Sequence, residues 1–195
     1  MSAHRKLTTR GIVVGRMSSG EGSARVILYT EELGMVHALA RSSREERSKL
    51  RPHLLEGTHG VFTLVKGKDA WRMTGATGTA NVFFEVGDRA AAKEAAARVL
   101  SSVRQFIRGD GPDPRAFETL SGFVSSLPAL ADREIAPAEC VAVLRLLSAL
   151  GYVREDAGTA AFLAPGYGPD VLARAAAARA QLLRLVNEAI AASGL

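Results

Sequence analysis

The segment RVILYTEELGMVHALARSSREERSKLRPHL, residues 25–54, decides the fold of the N-terminal half. Two short apolar runs, residues 26–29 and 35–40, flank a turn that ends in Gly34. Rough alternation of apolar residues around a connection that ends in glycine predicts a β-hairpin. Five cations follow within eleven residues, which indicates contact with a polyanion. A solvated loop is the alternative, because Glu45 and Glu46 stand among these cations and could pair with them.

Further strand patterns lie on both sides of this hairpin. Residues 8–17 have an apolar centre bounded by glycines, and residues 57–65 and 70–77 carry two more short apolar runs. Five short strands in about 70 residues, with one longer connection between the third and the fourth, predict a five-stranded OB-type barrel. Barrels of this class bind oligonucleotides, so the fold and the cations agree.

The pattern becomes helical after Gly87. Apolar residues at helical spacing predict helices over residues 89–108 and 115–127, the first with Asp88 as its N-cap. A third helix is predicted to carry Pro137 in its first turn and to stop at Gly151.

A hairpin turn is possible at residues 156–158, and a last helix is predicted over residues 170–192. That helix is expected to bury Leu172, Leu182, Leu183, Val186 and Ile190. The four helices are expected to form one bundle. The predicted class is therefore α+β, with an OB-type nucleic-acid-binding domain over residues 1–80 and an α-helical domain over residues 81–195.

Composition narrows the class of protein further. An apolar fraction of 47% and a charged fraction of 23% are those of a globular protein. No apolar run approaches the roughly 20 residues of a membrane span, and no secretory signal is recognisable, so we expect a cytoplasmic protein. The single cysteine, Cys140, excludes an internal disulfide and a cysteine-cluster zinc site, and it is expected to be a small buried hydrophobic residue.

The net charge of +5 is unevenly distributed. Residues 1–80 carry a net charge of +6 and residues 81–195 a net charge of −1, so the first half is expected to meet the anion. Some of its cations could instead be solvated or paired with Glu31, Glu45, Glu46 or Asp69. The candidate DNA-binding residues are Arg10, Arg16, Arg25, Arg41, Arg44, Arg47, Lys49, Arg51, Lys66, Lys68 and Arg72.

Aromatic platforms for base stacking are few in this half. Tyr29 and Phe62 are expected in the core, while Trp71 could lie in the core or on the surface. We therefore expect the nucleic-acid backbone to be held chiefly by charge.

Enzyme motifs are missing from the sequence. The segment GEGSAR, residues 20–25, lacks the third glycine of a dinucleotide loop and leads into a strand, and there is no P-loop and no serine-nucleophile motif. The four histidines have neither a carboxylate–histidine motif nor cysteine partners. We expect no catalytic residues, no metal and no cofactor.

The order of these elements resembles the bacterial RecO recombination mediators. The similarity is most specific over residues 11–50, including LYTEELGMV (residues 28–36) and ALAR (residues 38–41), and it extends to LRLL (residues 144–147) and ALGY (residues 149–152). Many RecO proteins carry a four-cysteine zinc motif soon after this last run, whereas residues 153–174 here have no cysteine, so no metal is implied. The third strand also ends in Ser42 and Ser43 in place of the family's usual glycine.

The resemblance implies a DNA repair and recombination mediator of the bacterial cytoplasm, associated with the nucleoid. Such a protein binds single- and double-stranded DNA, anneals complementary strands, and helps to load recombinase onto strands covered by single-strand-binding protein. The implied partners are RecR and the C-terminal tail of single-strand-binding protein. An acidic tail of that kind would suit arginines beside an apolar groove, and the candidates are Arg98, Arg104, Arg108 and Arg115.

Two alternatives remain open. The helical half could be an adaptor that recruits RecR or single-strand-binding protein, with DNA contact incidental, or the barrel could bind RNA.

Overall fold

The computed structural model describes residues 6–19, 23–41, 48–68, 70–107 and 111–194. Every predicted strand is present, and most extend beyond the predicted ends. The strands are β1 (Lys6–Ser19), β2 (Ser23–Thr30), β3 (Gly34–Ala40), β4 (Thr58–Lys66) and β5 (Trp71–Asn81).

These strands close into a barrel in the order β1-β2-β3-β5-β4. The pairings are antiparallel except that between β3 and β5, which is parallel. β1 is long enough to pair with β4 through its first half and with β2 through its second half. A five-stranded barrel with this order is the OB architecture, so the predicted fold is confirmed.

The barrel interior is filled by alternate residues of each strand. Tyr29 and Phe62 are fully buried, as the sequence predicted. Leu54 also lies in the core and comes from a short 3-10 helix, Arg51–Leu54, in the connection between β3 and β4. This connection rejoins the barrel where the Gly57 N–H donates to the Val13 carbonyl, at 2.8 Å.

The second half is helical, and its longest helix is central. α4 packs against α2, α3, α6 and α7, and it is therefore buried on several sides, Cys140 included. None of the described helices is long and apolar enough to cross a membrane. The helices are α1 (Val82–Glu85), α2 (Ala90–Phe106), α3 (Pro114–Ser126), α4 (Asp132–Ala149), α5 (Ala160–Leu163), α6 (Pro169–Ala177) and α7 (Arg179–Ser193).

Two predicted helix starts are wrong. Arg89, not Asp88, is the N-cap residue of α2, and its guanidinium donates to Asp132 across the unit, while Asp88 stays exposed. α4 begins at Asp132, so Pro137 lies inside the helix rather than in its first turn. The Glu134 carboxylate accepts from the Ala131 N–H at 2.8 Å and provides the start that the proline was expected to mark.

The predicted stop of α4 at Gly151 is confirmed. Gly151 has φ +83°, its N–H donates to Ser148, and the next N–H, of Tyr152, donates to Leu147. This pair of bonds is a Schellman motif, which needs a left-handed residue and therefore favours glycine.

The C-terminal predictions need two corrections. Residues 156–158 do not turn a hairpin, because the Asp156 carboxylate accepts from the N–H groups of Gly158 and Thr159 and leads the chain into α5. The predicted helix over residues 170–192 is two helices, α6 and α7, which meet at Ala178. Leu183 is exposed rather than buried, and Ile190 is half-buried.

The chain divides into two compact units. The barrel unit reaches Asn81 and includes Gly111 and Pro112 from the connection between α2 and α3. The helical unit begins at Val82 and contains α1 to α7.

Candidate nucleic-acid interface

The strand register aligns two predicted arginines on the outer face of the barrel. Met17 pairs with Arg25, Arg25 with Leu39, and Leu39 with Arg72. Paired residues point to the same side of a sheet, and Leu39 follows Ala38, which lies in the core, so all four point outwards. We call Met17, Arg25, Leu39 and Arg72 the outer row. It crosses β1, β2, β3 and β5 at right angles to the strands.

Pairing continues the outer row around the barrel. Arg72 pairs with Val65 on β4, and Val65 pairs with Lys6 at the beginning of β1. The path therefore returns to β1 eleven residues before Met17, because a closed barrel is sheared. Lys6 is thus an extension of the outer row on the far side of β4 and not a neighbour of Met17.

More candidate cations flank the outer row. Arg41 follows Leu39 by two positions and is exposed beyond the end of β3. Lys66 and Lys68 belong to the turn between β4 and β5, which ends just before Arg72 and is closed by a hydrogen bond from the Gly67 N–H to the Ala70 carbonyl. Arg16 precedes Met17 and is also exposed.

The charges of the outer row are unneutralised within the described part of the chain. Arg25 is exposed and forms no ion pair there, and the same holds for Arg16, Arg41 and Lys68. Arg72 is half-buried, and its Nε atom is buried with no hydrogen-bond partner among the described residues. Charged donors in this condition are suited to an external anion.

Arg10 lies elsewhere and already has an anion. Its Nε and Nη2 atoms donate to the two carboxylate oxygens of Glu31, at 2.7 and 2.8 Å. The hydrogen bonds from Arg10 hold the pKa of Glu31 below its ordinary value. Glu31 opens the β2–β3 turn, six residues from Arg25 and therefore about 20 Å away along the strand. Arg10 is thus not part of the outer row.

Arg51 and Lys49 also lie away from the outer row. Both are exposed. Arg51 shares the 3-10 helix with His53, whose Nδ1 lies 2.5 Å from Thr79 Oγ1. Thr79 is seven residues beyond Arg72 on β5, about 23 Å along the strand. Two further candidates, Arg44 and Arg47, lie outside the described residues.

Comparison with known proteins agrees with this geometry. Residues 1–81 match the family described as recombination protein O, N terminal. This span is the barrel. The barrel is a RecO N-terminal domain. The predicted resemblance to the RecO proteins is therefore confirmed.

Curated relatives extend the similarity into the helical unit. A protein named DNA repair protein RecO from Acetivibrio thermocellus is 28% identical over 152 residues, which cover 75% of this chain and 57% of the relative. Proteins of the same name from two strains of Dehalococcoides mccartyi are 27% identical over 119 residues and 26% identical over 149 residues. These matches cover 61% and 75% of this chain, and 47% and 57% of the relatives. The chain thus spans about half to three fifths of the length of the curated relatives it matches.

Trp71 does not lie on the outer row of this RecO domain. It pairs with Ala38, which points inwards, and it packs half-buried against the barrel core. The Lys66 ammonium lies over its ring, 5.0 Å from the centroid. The outer row itself carries the aliphatic side chains of Met17, which is 48% exposed, and Leu39.

The four candidates for a partner tail are not assembled on one rim. Arg98 on α2 binds both oxygens of Glu139, at 2.6 and 2.8 Å, whereas Arg115 on α3 donates to the carbonyl of Ala149. Glu139 and Ala149 are ten residues apart on α4, about 15 Å along the helix axis. Arg104 is half-buried on α2, and Arg108 lies outside the described residues.

Sequence reasoning missed Lys6, Met17 and Leu39 in the RecO domain. The predicted first strand began two residues after Lys6, and only the pairing register shows that Met17 and Leu39 lie beside the arginines. The alternation of inward and outward residues within β3 was the signal that could have identified Leu39. Among the described residues, no group of three or more histidine, cysteine or acidic side chains could hold a metal ion.

Proposed function

We propose that this protein is a DNA repair and recombination mediator whose RecO domain binds single- and double-stranded DNA. Residues 1–80 would form the DNA-binding domain, and residues 81–195 would serve partner recognition. The outer row is the observation that carries the proposal. The name shared by the three relatives supports the role in repair.

The spacing of the outer row suits a sugar-phosphate chain. Arg25 and Arg72 are separated by one strand, hence by about 10 Å, and Lys6 lies two strands beyond Arg72. A strand crossing the barrel along this line would meet a cation at every second β-strand. Arg41 and Lys68 would add charge at its sides. Each phosphate neutralised in this way releases counterions, so binding would weaken steeply with salt.

The side chains between the cations bear on what DNA can do while bound. Met17 and Leu39 can pack on sugars or base faces but offer no aromatic platform, and Trp71 is turned inwards. Proteins that sequester single strands usually stack bases on aromatic rings. Charge-held DNA keeps its base edges free, which favours annealing of complementary strands and their later transfer to a recombinase. No step of this function requires a catalytic residue.

Strand annealing across a salt series tests the proposal. We expect Arg25→Ala/Arg41→Ala to slow annealing of complementary oligonucleotides and to flatten the dependence of affinity on salt by about 1.4, at roughly 0.7 per lost contact on a single strand. Arg51→Ala is the matched control, because Arg51 is equally exposed in the same domain but lies away from the outer row. Equal loss in both variants would leave only non-specific charge and would reject the outer row. An RNA competitor that displaces DNA at equal concentration would favour the RNA alternative.

The second candidate function is an adaptor in which the helical unit recruits RecR or the tail of single-strand-binding protein. The low net charge of that half favours a protein partner over DNA. A tail peptide titrated against Arg104→Ala and Arg115→Ala would identify the contributing helix. Annealing that depends wholly on added single-strand-binding protein would favour the adaptor.

A further inference from the structure

A cleft opens in the helical unit between α3, α4 and the segment that contains α5. Its volume is about 670 Å³, which lies within the range of small-molecule sites in proteins. Ala149, Leu163, Pro165 and Tyr167 contribute apolar surface to its walls. The cleft is therefore of the size and polarity that suit a small, largely apolar ligand.

One charged side chain lies deep in this wall. Arg145 on α4 is only 5% exposed. Its Nε atom donates to the Phe162 carbonyl at 2.7 Å, and its Cζ atom lies 4.9 Å from the centroid of the Tyr167 ring. Its Nη2 atom is buried and has no hydrogen-bond partner among the described residues. The guanidinium is thus held in place but incompletely bonded.

Arg145 also lacks a counter-ion. No carboxylate in the described part of the chain lies within ion-pair distance of it. Burial lowers the pKa of Arg145, yet a guanidinium starts so high that it stays charged at neutral pH. Burial raises the pKa of Tyr167, whose hydroxyl donates to the Thr119 carbonyl, so this neutral phenol does not supply the negative charge. A buried charge without a partner is costly unless a ligand provides one.

We propose that this cleft binds a small organic acid, whose carboxylate meets the Arg145 guanidinium and whose apolar body lies against Leu163, Ala149 and Tyr167. A planar carboxylate matches the fork geometry of arginine. All the residues concerned belong to the helical unit, so the site goes beyond the DNA-binding function proposed for the barrel.

The rim of the cleft restricts the ligand to a single negative charge. Glu118 and Glu155 line the same cleft as Arg145. Their carboxylates repel nucleic acid and peptides that carry several acidic residues. Arg115 at the rim already donates to Ala149 and adds only one exposed cation. A monocarboxylate avoids this repulsion and still neutralises Arg145.

Direct binding to the full 195-residue chain tests the site. We would titrate benzoate, octanoate and 4-phenylbutanoate, each against its neutral amide, by calorimetry and by ligand-observed NMR. At least one acid is expected to bind saturably, with its amide at least tenfold weaker. Failure of all three acids to bind, or equal binding of acid and amide, would overturn the proposal.

Substitutions then locate the binding. Arg145→Met should abolish the preference for acid over amide, and Arg145→Lys should retain part of it. Should Arg145→Met fail to fold, Ala164→Trp decides, because Ala164 is an exposed cleft residue whose enlargement blocks the site without altering Arg145. Arg174→Met, on the exposed surface of α6, is the control and should bind as the wild type does.

Two outcomes contradict the site itself. Wild-type acid binding by both Arg145→Met and Ala164→Trp would place the acid elsewhere. Displacement of the acid by an Asp-rich peptide that ends in Phe, at lower concentration than the acid, would show that the cleft is a peptide site instead. DNA affinity measured on the same variants should stay unchanged, which separates this test from that of the barrel.

Discussion

The cations of the barrel and those near α2 are the same residue types in opposite conditions. Arg25 and Arg41 form no ion pair among the described residues, whereas Arg89 and Arg98 reach carboxylates of α4 at 2.9 and 2.6 Å. The helical arginines therefore spend their charge on holding helices together. The barrel arginines keep theirs for a ligand. A count of charges in a sequence does not separate these two uses, but the partners of each side chain do.

Geometry adds a second difference. β-Strand pairing sets Arg25 and Arg72 in one line across the barrel, since paired residues share a face. The helical arginines Arg98 and Arg115 lie near opposite ends of α4 and share no line. The sheet thus converts scattered positions in the sequence into a continuous surface.

Distortion of the barrel should produce the largest effect. Gly34 begins β3 with φ +69°, and a Cβ atom there would lie 1.9 Å from the Gly111 carbonyl oxygen. Gly34→Ala is expected to lower the free energy of unfolding by about 2–3 kcal/mol, because backbone strain and a backbone clash combine. Gly87→Ala is the control: its φ is +60°, but the space around it is open, so about 1 kcal/mol is expected. Chemical denaturation measures both, and equal losses would show that the contact with Gly111 is unimportant.

Removal of two charges from the outer row should produce the next largest effect. Arg25→Ala/Arg72→Ala is expected to weaken single-stranded DNA binding about tenfold, at roughly 0.7 kcal/mol for each exposed contact. Arg89→Ala/Arg98→Ala removes the same charge from the helical unit and should leave DNA affinity unchanged. Fluorescence anisotropy at several salt concentrations measures both variants. A similar loss in the two would mean that net charge, not its arrangement, governs binding.

The barrel could be predicted from the sequence because its signals are local. Apolar alternation and glycine-ended turns mark each strand, and the order of short strands with one long connection is sufficient for the fold. The outer row could not be predicted, because it depends on register. A shift of one residue in β3 would replace Leu39 by Ala38 on the outer face and move Arg72 out of line with Arg25.

The helical unit was predicted less well because its boundaries depend on tertiary contacts. Asp88 has the composition of an N-cap, but the helix starts where Arg89 can reach Asp132, Pro128 and Leu130. Pro137 resembles a helix start, yet the turn before it is already capped by Glu134. Arg145 looked like part of an ordinary apolar stripe, since no sequence pattern reveals that a buried arginine lacks its counter-ion.

The ion pair between Arg98 and Glu139 should have a moderate effect on stability alone. Both side chains are partly exposed, at 55% and 19%, so the pair is expected to contribute no more than about 1 kcal/mol. Arg98→Ala should lower the melting temperature by about 2–4 °C, the shift expected for a domain of 150–250 residues. The combination with Glu139→Gln should cost less than the sum of the single changes, because the two groups interact. Strict additivity in thermal unfolding would remove the pair as a link between α2 and α4.

The pair between Arg10 and Glu31 should give the smallest effect, and it tests whether a paired barrel arginine can be freed. Glu31→Gln removes the anion that holds Arg10, so DNA affinity should rise about two- to threefold, below 1 kcal/mol. Arg10→Ala in the wild-type background should change affinity less than Arg25→Ala does. No gain in Glu31→Gln would show that Arg10 lies beyond the reach of bound DNA.

The pH dependence of stability provides an independent check on that pair. The pKa of Glu31 is lowered in the folded protein, so the stabilisation is fully present above the unfolded value near 4.5 and is lost as the pH falls through the lower folded value. Glu31→Gln should therefore differ from the wild type in urea denaturation at pH 6 and converge with it at the acid end. A difference that persists at low pH would have to come from the packing of the turn rather than from the charge. Because this pair is solvent-exposed, the difference should also shrink in high salt, whereas a packing effect should not.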